Sequence, residues 1–98
     1  MKILALEKEI KGIKPEDFQP HSKAEAKRVW ELYQQGFIRE IYFRADKSDA
    51  VLILESDNIE SARQILQTLP LVSAGLIDFE IIPLKAYPGF SRLFAENA

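Results

Sequence analysis

The chain alternates short apolar runs with longer amphipathic stretches, and the spacing within each predicts its element. Lys2 to Lys8 is a short apolar run and reads as a first strand. Gly12 to Pro15 reads as a turn. Pro15 suits the first turn of a helix, whose positive end Glu16 and Asp17 complement. Pro20 ends a short first turn, so the main helix is expected to begin near His21, and Gly36 stops it. Phe37 to Arg44 is aromatic and β-branched and reads as a second strand. Asp46 to Asp49 is a hairpin loop, and Ala50 to Glu55 is a third strand. Asp57 or Asn58 caps a second helix with Ala62, Ile65, Leu66 and Leu69 on its inner face, and Pro70 closes it. Leu76 to Leu84 is a fourth strand, in which Leu76, Asp78, Glu80 and Ile82 alternate with Ile77, Phe79 and Ile81. The tail that follows carries Tyr87, Phe90, Leu93 and Phe94.

The resulting order, βαββαβ, predicts an α+β fold of the ferredoxin-like, split βαβ kind. It has a four-stranded antiparallel sheet with two helices on one face. The length of 98 residues suits a single domain over 1–98, with 86–98 a C-terminal tail. With both helices on one face, the other is left bare. Yet strands two and three are apolar on both alternating sets: Ile41 and Phe43 against Ile38 and Tyr42, Leu52 and Leu54 against Val51 and Ile53. A sheet apolar on both faces is buried on both, which predicts a homodimer joined sheet to sheet. The aromatic tail is too apolar to lie free in water, and is expected to pack on a neighbouring subunit and to lid a pocket.

One position breaks the helical pattern. On a wheel of 100° per residue, Phe18, Ser22, Ala26, Val29, Tyr33 and Phe37 share a face, flanked by Trp30 and Leu32. Lys23, Lys27, Glu31 and Gln34 lie opposite. Glu25 falls inside the apolar arc, between Val29 and Leu32, with His21 and Arg28 at its edge. A carboxylate turned inward loses hydration, at a cost in free energy unless it is paired, hydrogen-bonded or protonated. Such an environment tunes a general acid or base. It also serves a purely structural glutamate that pairs with an arginine or caps a backbone group.

Composition narrows the chemistry. Hydrophobic residues make up 47% of the chain, too many for a disordered one. The formal net charge is −2 with dispersed lysines and arginines, so no nucleic-acid partner is expected. The absence of cysteine removes disulfides, thiolate metal sites and a cysteine nucleophile, and suits a reducing compartment. The apolar run at Met1 to Lys8 is too short for a signal peptide, and no stretch approaches the roughly 20 apolar residues of a membrane span. The expectation is a cytoplasmic protein without a membrane partner, acting on a small molecule.

Around Glu25, a few side chains stand out. Arg39, among apolar neighbours on strand two, suits a small carboxylate or enolate because its fork donates two parallel hydrogen bonds; it also suits a simple pairing with Glu25. His21 lies four residues before Glu25, one helical turn away. The pair reads as a proton relay or as a contact at the helix start. Neither a second histidine nor a cysteine exists to complete a metal site, so no metal is expected. No serine sits in a nucleophile elbow and no glycine-rich phosphate loop exists. Trp30 and Tyr33 read as core or pocket wall, and Asp78 and Glu80 as the polar edge of a strand.

The segment Leu66-Gln67-Thr68-Leu69-Pro70-Leu71-Val72, followed by Asp78-Phe79-Glu80-Ile81, resembles the end of the muconolactone Δ-isomerase family. Gln35-Gly36-Phe37-Ile38-Arg39 is similar to that family's glycine turn and following arginine, and Glu25 coincides with a family glutamate measured back from the glycine. The resemblance implies a dimeric α/β barrel, often assembled into larger rings. It implies a cofactor-free pocket between helices and sheet, closed in part by a neighbour's C-terminal segment. The implied chemistry removes a proton next to a lactone carbonyl and redelivers it two carbons away. Glu25 would be the base and Arg39 would steady the enolate or substrate carboxylate, with His21, Arg28, Trp30 and Tyr42 as substrate-binding candidates. Two features depart from the family: Glu40 stands where it has a histidine, and the aromatic tail replaces a short polar end. The antibiotic-biosynthesis monooxygenases and YCII-type proteins share the architecture. The latter ask for a His–Asp pair, and His21 has no evident aspartate. A non-catalytic ligand-binding or oligomeric module is the remaining alternative.

Overall fold

The computed structural model describes residues 1–95; residues 96–98, the end of the expected tail, lie outside the described residues. The elements are β1 (Lys2–Glu9), α1 (Pro15–Phe18), a 3-10 turn (Gln19–His21), α2 (Ser22–Gln34), β2 (Ile38–Phe43), β3 (Ala50–Glu55), α3 (Ile59–Leu66), α4 (Pro70–Ser73), β4 (Ile77–Pro83) and a 3-10 turn in the tail (Gly89–Leu93). The strands form one antiparallel sheet in the order β2-β3-β1-β4, the expected ferredoxin-like arrangement.

Register decides which side chains face the helices. Ile3 opposes Leu54 and Ala5 opposes Leu52, while Leu4 opposes Ile53 and Leu6 opposes Val51. Residues paired across antiparallel strands share a face. The first set is buried with Ile77 and Phe79 of β4, Leu32 of α2, and Ala62 and Leu66 of α3 in one core. The second set forms the opposite face, where Leu4, Leu6, Val51, Ile53 and Ile82 are only partly covered and Tyr42 is exposed.

Helix ends follow their capping residues. At the end of α2, Phe37 N–H bonds the Leu32 carbonyl at 3.1 Å and Gly36 N–H the Tyr33 carbonyl at 3.2 Å, with Gly36 at φ +84°. This is a Schellman stop, which needs the left-handed backbone that glycine adopts without strain. Asn58 caps α3 by accepting from Ser61 N–H at 2.8 Å, as expected. Pro70, expected to close a helix, instead opens α4. As its first residue it needs no N–H bond. That turn ends in a second Schellman stop at Gly75.

Strand β2 carries an irregularity. Ile38 opposes Leu54 while Glu40 opposes Ile53, so Arg39 is the extra residue of a β-bulge.

Candidate acid–base pocket

A cavity of 340 Å³ opens between α2 and the sheet. The helix contributes Ser22, Glu25, Ala26 and Val29, the sheet contributes Glu7, Leu52 and Phe79 among others, and Leu69 and Leu71 close one end. Its volume lies at the small end of ligand sites, which run about 300–1,000 Å³. The lining is mostly apolar, with Glu7, Glu25 and Ser22 as the polar side chains.

Glu25 is half-buried and accepts Leu71 N–H through Oε1 at 2.9 Å. Leu71 is the second residue of α4, where the helix supplies no carbonyl for its N–H, and the apolar Leu69 at the N-cap makes no side-chain bond. The inward turn of Glu25 therefore has a structural cause. Burial pushes the Glu25 carboxyl above its ordinary value, opposed by the Leu71 N–H and the nearby His21. No second protein donor reaches this carboxylate among the described residues.

Glu7, which the sequence reading passed over, is the second carboxylate. It lies on β1 on the same face as Ile3 and Ala5, and accepts Ala50 N–H at 2.9 Å. Its carboxyl is also pushed up, first by burial and then by the negative charges of Asp49, Glu9 and Glu25; the Ala50 bond opposes the rise. Glu7 and Ile77 also line an adjoining cleft of 320 Å³ that holds Glu9, Asp49 and Phe18. The signal for Glu7 was a carboxylate in phase with Ile3 and Ala5.

Within one chain, the other expected site residues do not gather at this pocket. Arg39, raised on the bulge, donates from Nε to the Gly36 carbonyl at 2.8 Å and lines a separate open hollow with Glu55 and Asp57. Arg28 donates to Thr68 Oγ1 at 2.9 Å and pairs with Glu31 at 3.6 Å, tying α2 to the turn after α3. Tyr42 stands on the open sheet face and donates to Glu40 at 2.7 Å. Trp30 is 58% exposed and stacks on Tyr33 with ring centroids 6.0 Å apart. The helix is wider than its contact with the sheet, so the flanks of its apolar arc overhang into solvent. His21 ends the 3-10 turn beside Glu25 without lining the cavity.

Comparison with known proteins places this geometry. The family model described as muconolactone delta-isomerase matches residues 6–89. No curated protein matches the chain in sequence. Among solved structures, a muconolactone isomerase is 19% identical with a TM-score of 0.72, over 90% of this chain and 92% of its own. A 5-chloro-2-hydroxyhydroquinone dehydrochlorinase from Burkholderia phenoliruptrix, in complex with 2,5-dihydroxybenzoquinone, is 17% identical with a TM-score of 0.62, over 91% of this chain and 98% of its own. At these identities the structures share the fold.

Proposed function

This chain belongs to the muconolactone delta-isomerase family, and from that membership we propose that it is an isomerase-type enzyme working by acid–base chemistry without a cofactor. In this reading Glu25 removes a proton from a carbon conjugated to the carbonyl of a small lactone or related compound. The C–H bond breaks, a proton joins the Glu25 carboxylate, and the electron pair spreads onto the carbonyl oxygen as a dienolate. The proton then returns two carbons along, which leaves Glu25 ionised and the substrate isomerised with no net redox change. The observation that supports the reading is a half-buried carboxylate with a raised proton affinity on the wall of an apolar cavity. The nearby His21 favours the ionised form of Glu25.

The assembly is part of the proposal. The partly covered face of Leu4, Leu6, Val51, Ile53 and Ile82 suits a second copy packed sheet to sheet, as an α/β-barrel homodimer. Tyr87, Phe90, Leu93 and Phe94 are each at least 66% exposed and suit a strap across a neighbouring subunit. No helix among the described residues is long and apolar enough to cross a membrane. The absence of cysteine fits the cytoplasm.

A second reading has an observation of its own. The bond from Leu71 N–H accounts for Glu25 without catalysis and fits a non-catalytic binding module. The test is double-bond migration in two butenolides, muconolactone and α-angelica lactone, followed by ultraviolet absorbance. Turnover of either by wild type that disappears in Glu25→Gln supports the enzyme. Well-folded wild type that turns over neither removes the isomerase reading and leaves the binding module.

A further inference from the structure

Muconolactone carries a carboxylate, and the pocket has no cation to meet it. No lysine or arginine lines the cavity among the described residues. Five basic side chains are engaged away from it: Arg28 with Thr68 and Glu31, Arg39 with the Gly36 carbonyl, Arg44 with Asp46, Lys8 with Asp78, and Lys47 with Asp49. Two carboxyls instead reach the cavity from different elements, Glu25 from the helix and Glu7 from the sheet.

We infer that this pocket selects uncharged carbonyl compounds of about one ring and rejects carboxylates, and that Glu7 sets the selection. The inference rests on the reading of this cavity as the binding site. It deepens that reading by naming the ligand class.

The physical ground is like-charge repulsion in an enclosed, mostly apolar space. A ligand carboxylate would lose its hydration on entry and gain no cationic partner, while facing two groups of its own sign. Its neighbours do not relieve it. Asp49 and Glu9 stand near Glu7 and are also acidic, Lys47 is taken up by its pair with Asp49, and His21 stands near Glu25. An uncharged lactone or quinone meets none of this. Its ring takes the apolar wall of Val29, Leu52, Leu71 and Phe79, and it brings no charge to be desolvated or repelled. Specificity by a repulsive element needs no attractive contact to the preferred ligand. Glu7 suits that role because its backbone bond to Ala50 holds it in place. It is a specificity-determining residue in this account, whatever part Glu25 plays in proton transfer.

The experiment uses two inert probes, so that binding is read apart from turnover. One is γ-valerolactone. The other is the same saturated ring with a carboxymethyl group in place of the methyl. Each is titrated at neutral pH into wild type, Glu7→Gln and Glu25→Gln, and the amides of Ala50, Leu52, Leu71 and Phe79 are followed by NMR. Glutamine at position 7 keeps an oxygen for the Ala50 N–H, and the amide spectrum checks that the fold is retained.

The expected result is that wild type binds the uncharged ring at least tenfold more tightly. Glu7→Gln should narrow that gap at least threefold by tightening the carboxylate. Three results overturn the inference: equal or tighter binding of the carboxylate by wild type, a gap that Glu7→Gln leaves unchanged, or no response of these amides to either ring. Equal or tighter carboxylate binding would also mean that a neighbouring subunit brings the missing cation. Turnover of α-angelica lactone is read separately. Its absence refutes proton transfer by Glu25 and leaves a measured preference for the uncharged ring standing.

Discussion

In the proposed reading Glu25 has two roles that mutation can separate, because its structural bond needs only an acceptor oxygen while proton transfer needs an ionisable group. Glu25→Ala removes the acceptor and leaves Leu71 N–H, part-buried at the start of α4, without a protein partner. Losing a capping acceptor costs about 0.5–2 kcal/mol, and a buried donor left unsatisfied costs about 1–3 kcal/mol. Alanine's better helix propensity returns a few tenths in the first turn of α2. The net loss is about 1–2 kcal/mol. In a domain of this size each kcal/mol shifts Tm by about 4–8 °C, so Glu25→Ala should melt roughly 4–16 °C below wild type.

Glu25→Gln behaves differently. Its amide oxygen can still accept from Leu71, through a neutral bond about half as strong as the charge-assisted one. It also removes a charge that burial disfavours. These changes oppose each other, and the variant should stay within about 1 kcal/mol of wild type. The assay is thermal melting by circular dichroism at pH 7, with hydrogen exchange at the Leu71 amide. Glu25→Ala should lose protection there and Glu25→Gln should retain most of it. Butenolide turnover should vanish in both. If Glu25→Gln melts as low as Glu25→Ala, or if Glu25→Ala melts with wild type, the bond to Leu71 does not hold α4 in place and the reasoning fails.

The two raised carboxyls give stability a definite pH slope. Their folded proton affinity exceeds the ordinary value of 4.5, so their contribution is fully present below pH 4.5 and is lost as pH rises through the folded values. The Tm advantage of the double variant Glu7→Gln/Glu25→Gln over wild type should therefore grow as pH rises above 4.5; a gap that does not change with pH refutes this. Arg39→Ala should leave lactone binding and turnover within twofold of wild type, since Arg39 is bonded to the Gly36 carbonyl away from the cavity. A loss above tenfold in titration or rate would mean that Arg39 reaches the cavity of an adjacent subunit. Ile53→Lys, in the middle of the partly covered sheet face, should shift sedimentation from dimer to monomer with the fold retained. Wild type that already sediments as a monomer would count against sheet-to-sheet pairing.

Where local chemistry decides structure, the sequence is a good guide. Ala50–Glu55 forms a strand with the expected bounds, Asn58 caps the following helix through its own side chain, and Gly36 stops α2 because only the left-handed backbone completes its two carbonyl bonds. Glu25 is legible for the same reason, since helical periodicity alone turns it inward. Pro70 reads two ways, because a proline fits just after one helix and at the first turn of the next. Only the second stop at Gly75 decides it. The rest depends on tertiary context. Trp30 sits on the apolar arc of α2, but the sheet under the helix is narrower than the arc and fully buries only Leu32 of α2. Arg39 alternates in phase with Ile41 and Phe43 only in a regular strand. With both Phe37 and Ile38 drawn into the core, the register slips by one residue and Arg39 is turned out of phase. Glu7 shows the limit most clearly. Its phase with Ile3 and Ala5 is plain, yet Leu4 and Leu6 make the other set equally apolar. Nothing within β1 says which set faces the helices until β1 pairs with β3 and the helices settle on one side. The residue that gives the cavity its second carboxylate is thus placed by the sheet as a whole, not by its own neighbours in sequence.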